Sequence, residues 1–174
     1  IVDPVACLVA GTIDLCISPL DLSFVSQDYR HEKLQSEHLF SDNFIAIASA
    51  QHPISDIPSL EEFLSYPHVG VEIPGGLDTM DTVSLRQHAP DHKPNFVVPE
   101  YSLIGPMVAD SELIGIVQKR LADMILSTSA VRLVPIPCTM PVIDEVMMWH
   151  TRHVEDPAHR WLRSLLREIA SSQL

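Results

Sequence analysis

Apolar positions along this chain come in short blocks separated by proline-rich or polar turns, and the blocks alternate between two periods. Asp3-Pro4 followed by Val5, Ala6, Leu8 and Val9, then Gly11, predicts a short helix. Asp3 suits the N-cap, Pro4 the first helical position and Gly11 the end. Residues 12–18 (T-I-D-L-C-I-S) read as a buried strand closed by Pro19, and residues 39–50 as a second strand after a polar loop. Pro58-Ser59 opens a helix, S-L-E-E-F-L, with Glu62 three residues after Ser59 in the capping-box arrangement. Residues 69–73 predict a third strand ending in the Pro74-Gly75-Gly76 turn.

The second half repeats the alternation. Residues 95–98 predict a strand, 101–109 a helix despite Gly105 and Pro106, 113–117 a strand, and 118–126 an amphipathic helix. Residues 131–136 and 145–150 add two more strands. Asp156-Pro157 caps the last helix, where Trp161, Leu162, Leu165, Leu166 and Ile169 recur at helical spacing, with Arg160, Arg163 and Arg167 expected outside. Strands alternating with helices imply an α/β fold with a mostly parallel sheet and helices on its faces.

Composition narrows the function classes. With 46% apolar and 20% charged residues over 174 positions, disorder is excluded. No apolar run approaches the roughly 20 residues that cross a bilayer, so no membrane partner is expected. Net charge is −12, which repels phosphate backbones. The acid is uneven: residues 1–100 carry 15 acidic and 4 basic side chains, residues 101–174 carry 8 and 7. Cys7, Cys16 and Cys138 form no C-x-x-C pair and suit a reducing compartment. The first residues show no initiator Met, basic stretch or cleavage site. They read as the later part of an element already under way, with a segment before them.

No catalytic motif emerges: there is no G-x-S-x-G, H-E-x-x-H or phosphate-binding glycine loop. Pro74-Gly75-Gly76 is read as a turn. Among nine histidines, His150-x-x-His153 with His159 invites a metal reading, but surface and capping histidines are the plainer one, and neither metal nor cofactor is expected. Glu61-Glu62 and Asp78-x-x-Asp81 are read as solvated faces. In an open parallel sheet, ligands gather beyond the carboxyl ends of strands. Those places are Ser18, Pro19 and Leu20; Glu72 and Ile73; Tyr101 and Ser102; Val117 and Gln118; and Trp149 and His150. For Tyr101 and Trp149, pocket wall and packed core aromatic stay open as readings.

Read in order, these segments carry a resemblance. L-V-A-G-T-I-D-L-C-I-S-P (residues 8–19) resembles a stretch of the effector-binding domain of LysR-type transcriptional regulators. So do L-F-S-D-N-F-I-A-I-A-S-A-Q-H-P, S-L-E-E-F-L-S-Y-P-H-V and A-D-S-E-L-I-G-I-V-Q-K-R-L-A. W-H-T-R-H-V-E-D-P-A-H-R-W-L-R is similar to the branch containing the nodulation regulator NodD and the salicylate regulator NahR. Gln118 stands where that family usually has proline.

The resemblance implies a two-lobed fold like a type 2 periplasmic binding protein. Lobe one would be residues 1–69 and 138–174, lobe two residues 70–137, with a ligand between them. It implies a non-catalytic, cytoplasmic, ligand-sensing domain that responds to a small aromatic or phenolic effector. It further implies a homodimer or homotetramer, and DNA contact only through a preceding winged helix-turn-helix. Arg132, Lys119 and Arg120 are the nearest cations for a carboxylate ligand. A free-standing solute-binding protein of the same fold is the alternative, and an enzyme using His150, His153 and Asp156 a remote one.

Overall fold

The structure, a computed structural model, describes residues 3–19, 33–73 and 78–172; Leu20 and the Pro74-Gly75-Gly76 turn lie outside them. The chain divides into two compact units, residues 1–41 with 143–174 and residues 42–142. The divisions fall at 41/42 and 142/143, whereas the expected crossings were near 69–71 and 137–139. The first differs because the later part of the second strand is paired with strands of the second unit.

In unit one, helix α1 (Pro4–Ala10) is set as the sequence predicts. The Asp3 carboxylate accepts from the N–H groups of Val5 at 2.9 Å and Ala6 at 3.2 Å. Gly11 ends the helix at φ 75°, the left-handed conformation that glycine adopts without a Cβ penalty. Because those two amides lack helical partners, Asp3→Ala is expected to cost about 1 kcal/mol in denaturant melts. An unchanged midpoint would show the cap to be redundant with Pro4.

Strand β1 (Leu15–Pro19) pairs antiparallel with β7 (Val142–His150), Leu15 facing Trp149 and Pro19 facing Glu145. Leu8 of α1 packs on Val146 and Met148 of β7. Helix α6 (Pro157–Ser172) closes this unit, its first amides held by the Asp156 carboxylate at 2.8 and 3.1 Å. The buried face of α6 differs from the expected one. His159, Arg163 and Ala170 are buried, while Trp161 is 66% and Ile169 46% exposed.

Unit two is built on a mixed sheet. Strand β2 (Leu34–Ser49) begins in unit one and continues into unit two, where it pairs antiparallel with β5 (Ile114–Gln118) and β6 (Val131–Val134). Strand β3 (His68–Val71) is parallel to both β4 (Phe96–Val98) and β5. The mostly parallel sheet expected from the alternation is therefore parallel at β3, β4 and β5 and antiparallel where β1 meets β7 and where β2 meets β5 and β6. Direction is set by pairing across the fold, which local pattern does not encode.

Helix α2 (Leu60–Ser65) starts at the expected capping box, with the Ser59 N–H among the donors that hold the Glu62 carboxyl down. Ser59 Oγ accepts from Glu62 N–H at 3.1 Å, and the Glu62 carboxylate also accepts from the Ser55 N–H and hydroxyl, both at 2.8 Å. Helix α3 (Met80–His88), absent from the sequence reading, follows the turn region. A 3₁₀ turn (Tyr101–Leu103) leads into α4 (Ile104–Val108), and α5 (Lys119–Leu126) follows β5 directly. The core of this unit joins Ile47, Val69, Val98, Ile104, Val108, Val117 and Ile125. Gly115 permits the close approach of α4: a Cβ there would stand 2.2 Å from the Ile104 side chain.

Candidate functional site

Since β3, β4 and β5 run parallel, their carboxyl ends lie at one edge of the unit-two sheet. Glu72 and Ile73 follow β3, Tyr101 and Ser102 follow β4 after two residues, and Gln118 ends β5 as the N-cap of α5. The Glu72 N–H donates to Val98 O at 3.1 Å, tying two of these ends together. Glu72 and Ser102 are exposed, and Ile73, Tyr101 and Gln118 half-buried. Val117 is fully buried in the core, leaving only its backbone for the edge.

The unit-one candidates do not share one place. In the antiparallel β1–β7 pair, Ser18 faces Val146 and Leu15 faces Trp149, so Ser18 and Pro19 lie at the opposite end of the ladder from Trp149 and His150. Trp149 is 7% exposed, with the Arg163 guanidinium 4.6 Å above its ring, so it is the packed aromatic of the two readings. Its Nε1–H has no acceptor among the described residues. The His150 ring accepts from the Arg152 N–H at 3.0 Å, and Asp156 caps α6. His153 stacks on His159 with centroids 5.0 Å apart. Among the described residues no three His, Cys, Asp or Glu side chains gather as metal ligands would.

One expectation is overturned at Asp81. Instead of lying on a solvated face, it is 4% exposed and accepts from the Tyr101 hydroxyl at 2.5 Å. Burial pushes its carboxyl up, against the hydroxyls of Tyr101 and Thr79, which hold it down. Burial and the neighbouring Asp81 together push the Tyr101 phenol up, so it stays a donor to that carboxylate. Asp78 pairs with Arg86 at 2.5 Å.

Sequence reasoning also passed over His68 and His92. His68 Nε2–H donates to Phe63 O at 3.1 Å, which leaves Nδ1 to accept from His92 Nε2–H at 2.5 Å. Burial, then the adjacent His92, pulls the His68 imidazole down to about 4. Both rings, with Asp81 and Thr82, line a cavity of about 20 Å³, room for one water molecule and not for an organic ligand. The signal available in sequence was thin: a histidine opening a strand and another in a polar loop.

The three candidate cations are committed, and Arg132 stands away from this edge: it pairs with Ala48, level with Ile114 at the amino end of β5. Lys119 pairs with Asp123 at 2.5 Å; Arg132 reaches Asp56 at 3.3 Å and the carbonyls of His52 and Ile54; Arg120 is engaged as well.

A two-unit α/β chain with this strand-end edge has the periplasmic-binding-protein-like fold. The sequence matches the LysR substrate binding domain over residues 6–171, and the chain belongs to that family. It is 31% identical over 135 residues to nodulation protein D 2 of Rhizobium tropici, covering 76% of this chain and 43% of that protein. It is 28% identical to the HTH-type transcriptional activator NahR of Pseudomonas putida, covering 91% and 51%. The chain thus spans about half the length of the curated relatives it matches. A transcriptional regulator from Vibrio parahaemolyticus superposes with TM-score 0.75 at 26% identity, over 96% of this chain and 76% of that one. The regulatory domain of MexT, a transcriptional activator of Pseudomonas aeruginosa, gives 0.70 at 20%, over 94% and 76%. No helix among the described residues is long and apolar enough to cross a membrane.

Proposed function

We propose that this chain is the effector-sensing and oligomerising domain of a LysR-type transcriptional regulator, cytoplasmic and without catalytic activity. Its two compact units correspond to the two lobes, its effector is a small aromatic compound, and DNA is contacted through a separate helix-turn-helix domain like that of its relatives. The observation that carries this reading is the shared edge of β3, β4 and β5, where Glu72, Ile73, Tyr101, Ser102 and Gln118 set polar groups beside an apolar core. Binding there biases the conformational equilibrium by at most the effector's differential affinity for the two states.

Thermal melts against a panel of hydroxylated aromatics test it. A hit at a hundredfold excess over Kd is expected to stabilise the domain by about 2.7 kcal/mol. Ser102→Pro, which removes a backbone N–H from the exposed turn, is expected to weaken that hit about tenfold by calorimetry with its own melt intact. An undiminished affinity would move the pocket elsewhere.

A further inference from the structure

We propose that the effector selected at this edge is an uncharged, hydrogen-bond-donating aromatic rather than an aromatic carboxylate, and that Asp42 sets the choice; the inference rests on the effector site proposed above. Strand β2 runs antiparallel to β5 with Phe44 opposite Gln118, so Asp42, two residues earlier, reaches the start of α5. Asp42 is 7% exposed. Its Oδ1 accepts from Asn43 N–H at 2.7 Å and its Oδ2 from Arg120 N–H at 3.2 Å.

First-turn amides have no helical partner and are where an incoming anion would bind. At α5 the protein's own carboxylate already takes one of them. A ligand carboxylate brought to the same turn meets a like charge held in a partly desolvated place, which disfavours its ionised form.

The carboxyl and phenol oxygens of the edge also accept rather than donate, and the donors beside them, the Ser102 N–H and the Gln118 amide, carry no charge. The Tyr101 hydroxyl gives its hydrogen to Asp81, leaving only lone pairs for a ligand. Glu72 and Glu100 are exposed acids beside it. Lys119, at the start of α5, is bound to Asp123, and Arg120 is engaged as well. Such an edge favours a ligand that brings O–H or N–H groups.

The experiment is calorimetric titration of the full chain at pH 7 with 2-hydroxybenzamide and 2-hydroxybenzoate, alike in ring and shape but different in charge. The amide is expected to bind at least about tenfold tighter. Asp42→Asn is expected to narrow the gap to about threefold by improving the benzoate. Asp42→Ser, which keeps a capping oxygen without charge, gives the same readout should the Asn variant fold poorly. Equal or tighter benzoate binding overturns the inference and leaves the effector site standing. A gap unchanged in both variants overturns the role of Asp42. Binding of neither compound, with intact melts, overturns the site and the inference together.

Discussion

Arg163→Ala is expected to lower the unfolding free energy by about 3 kcal/mol, the largest effect of any single substitution considered for unit one. Arg163 is 6% exposed on α6. Its Nη1 donates to His153 O at 3.1 Å and to His159 Nδ1 at 2.5 Å, and its Nη2 donates to Val154 O at 3.1 Å. The same guanidinium plane lies 4.6 Å from the Trp149 ring centre, a stacked cation contact. His159 in turn passes its Nε2–H to Asp14 O at 3.0 Å, so accepting from Arg163 fixes its tautomer. Truncation would leave three acceptors without their donor and uncover the indole face. For a chain of this size about 3 kcal/mol corresponds to a drop of roughly 6–12 °C in Tm. Arg163→Lys should recover less than half of the loss, because a point charge reproduces neither the fork nor the stack. Near-ultraviolet circular dichroism through the melt reports the Trp149 surroundings. A Tm within about 2 °C of wild type for the Ala variant would mean that helix α6 is held by its apolar side chains alone.

That same residue shows where sequence pattern reads falsely. The spacing of α6 was legible, and His159, Arg163, Leu166 and Ala170 do recur at helical intervals on one face. Hydrophobicity chose the wrong occupants, because an arginine can bury its stem and plane when carbonyls take its N–H groups, whereas Trp161 lies 66% exposed. The α1 cap, the order of seven strands and the start of α6 were legible because each rests on neighbours in sequence. Asp81 was not, since the tyrosine that holds its carboxylate is 20 residues away and desolvation depends on packing. Helix α3, M-D-T-V-S-L-R-Q-H, has too few apolar positions to show a period, and its N-cap Thr79 gives it no side-chain hydrogen bond. Of the candidate site, the strand-end rule brings residues to one edge only where strands run parallel. It therefore gathered Glu72, Ile73, Tyr101, Ser102 and Gln118, and failed for Trp149 on an antiparallel pair.

Acidification from pH 6.5 to pH 4 is expected to remove about 3 kcal/mol of stability through His68. The imidazole is held at about 4 in the folded chain against an ordinary 6.5, chiefly because it is buried. Between those two values the unfolded chain binds a proton that the folded chain does not, so stability rises with pH through this window. It is fully present above pH 6.5 and falls as pH approaches 4; about 2.5 units at 1.36 kcal/mol each gives the size. Geometry explains the cost. His68 Nε2–H is spent on Phe63 O, so a second proton must go to Nδ1, 2.5 Å from the His92 nitrogen that already donates to it. His92 is itself pulled down by burial and by Arg86, and acts in the same direction. Asp81, lining the same cavity, opposes them: its raised carboxyl regains stability as the solution becomes acid. Total stability therefore mixes two signs, and the informative quantity is the difference between wild type and His68→Gln. Glutamine keeps a donor for Phe63 O but does not titrate. Urea unfolding at half-unit steps from pH 7.5 to 4 should show the wild-type curve falling about 3 kcal/mol more than the variant's. Parallel curves across the window would mean that His68 titrates in the folded chain as it does in water, and that the loop carrying His92 opens to admit the proton.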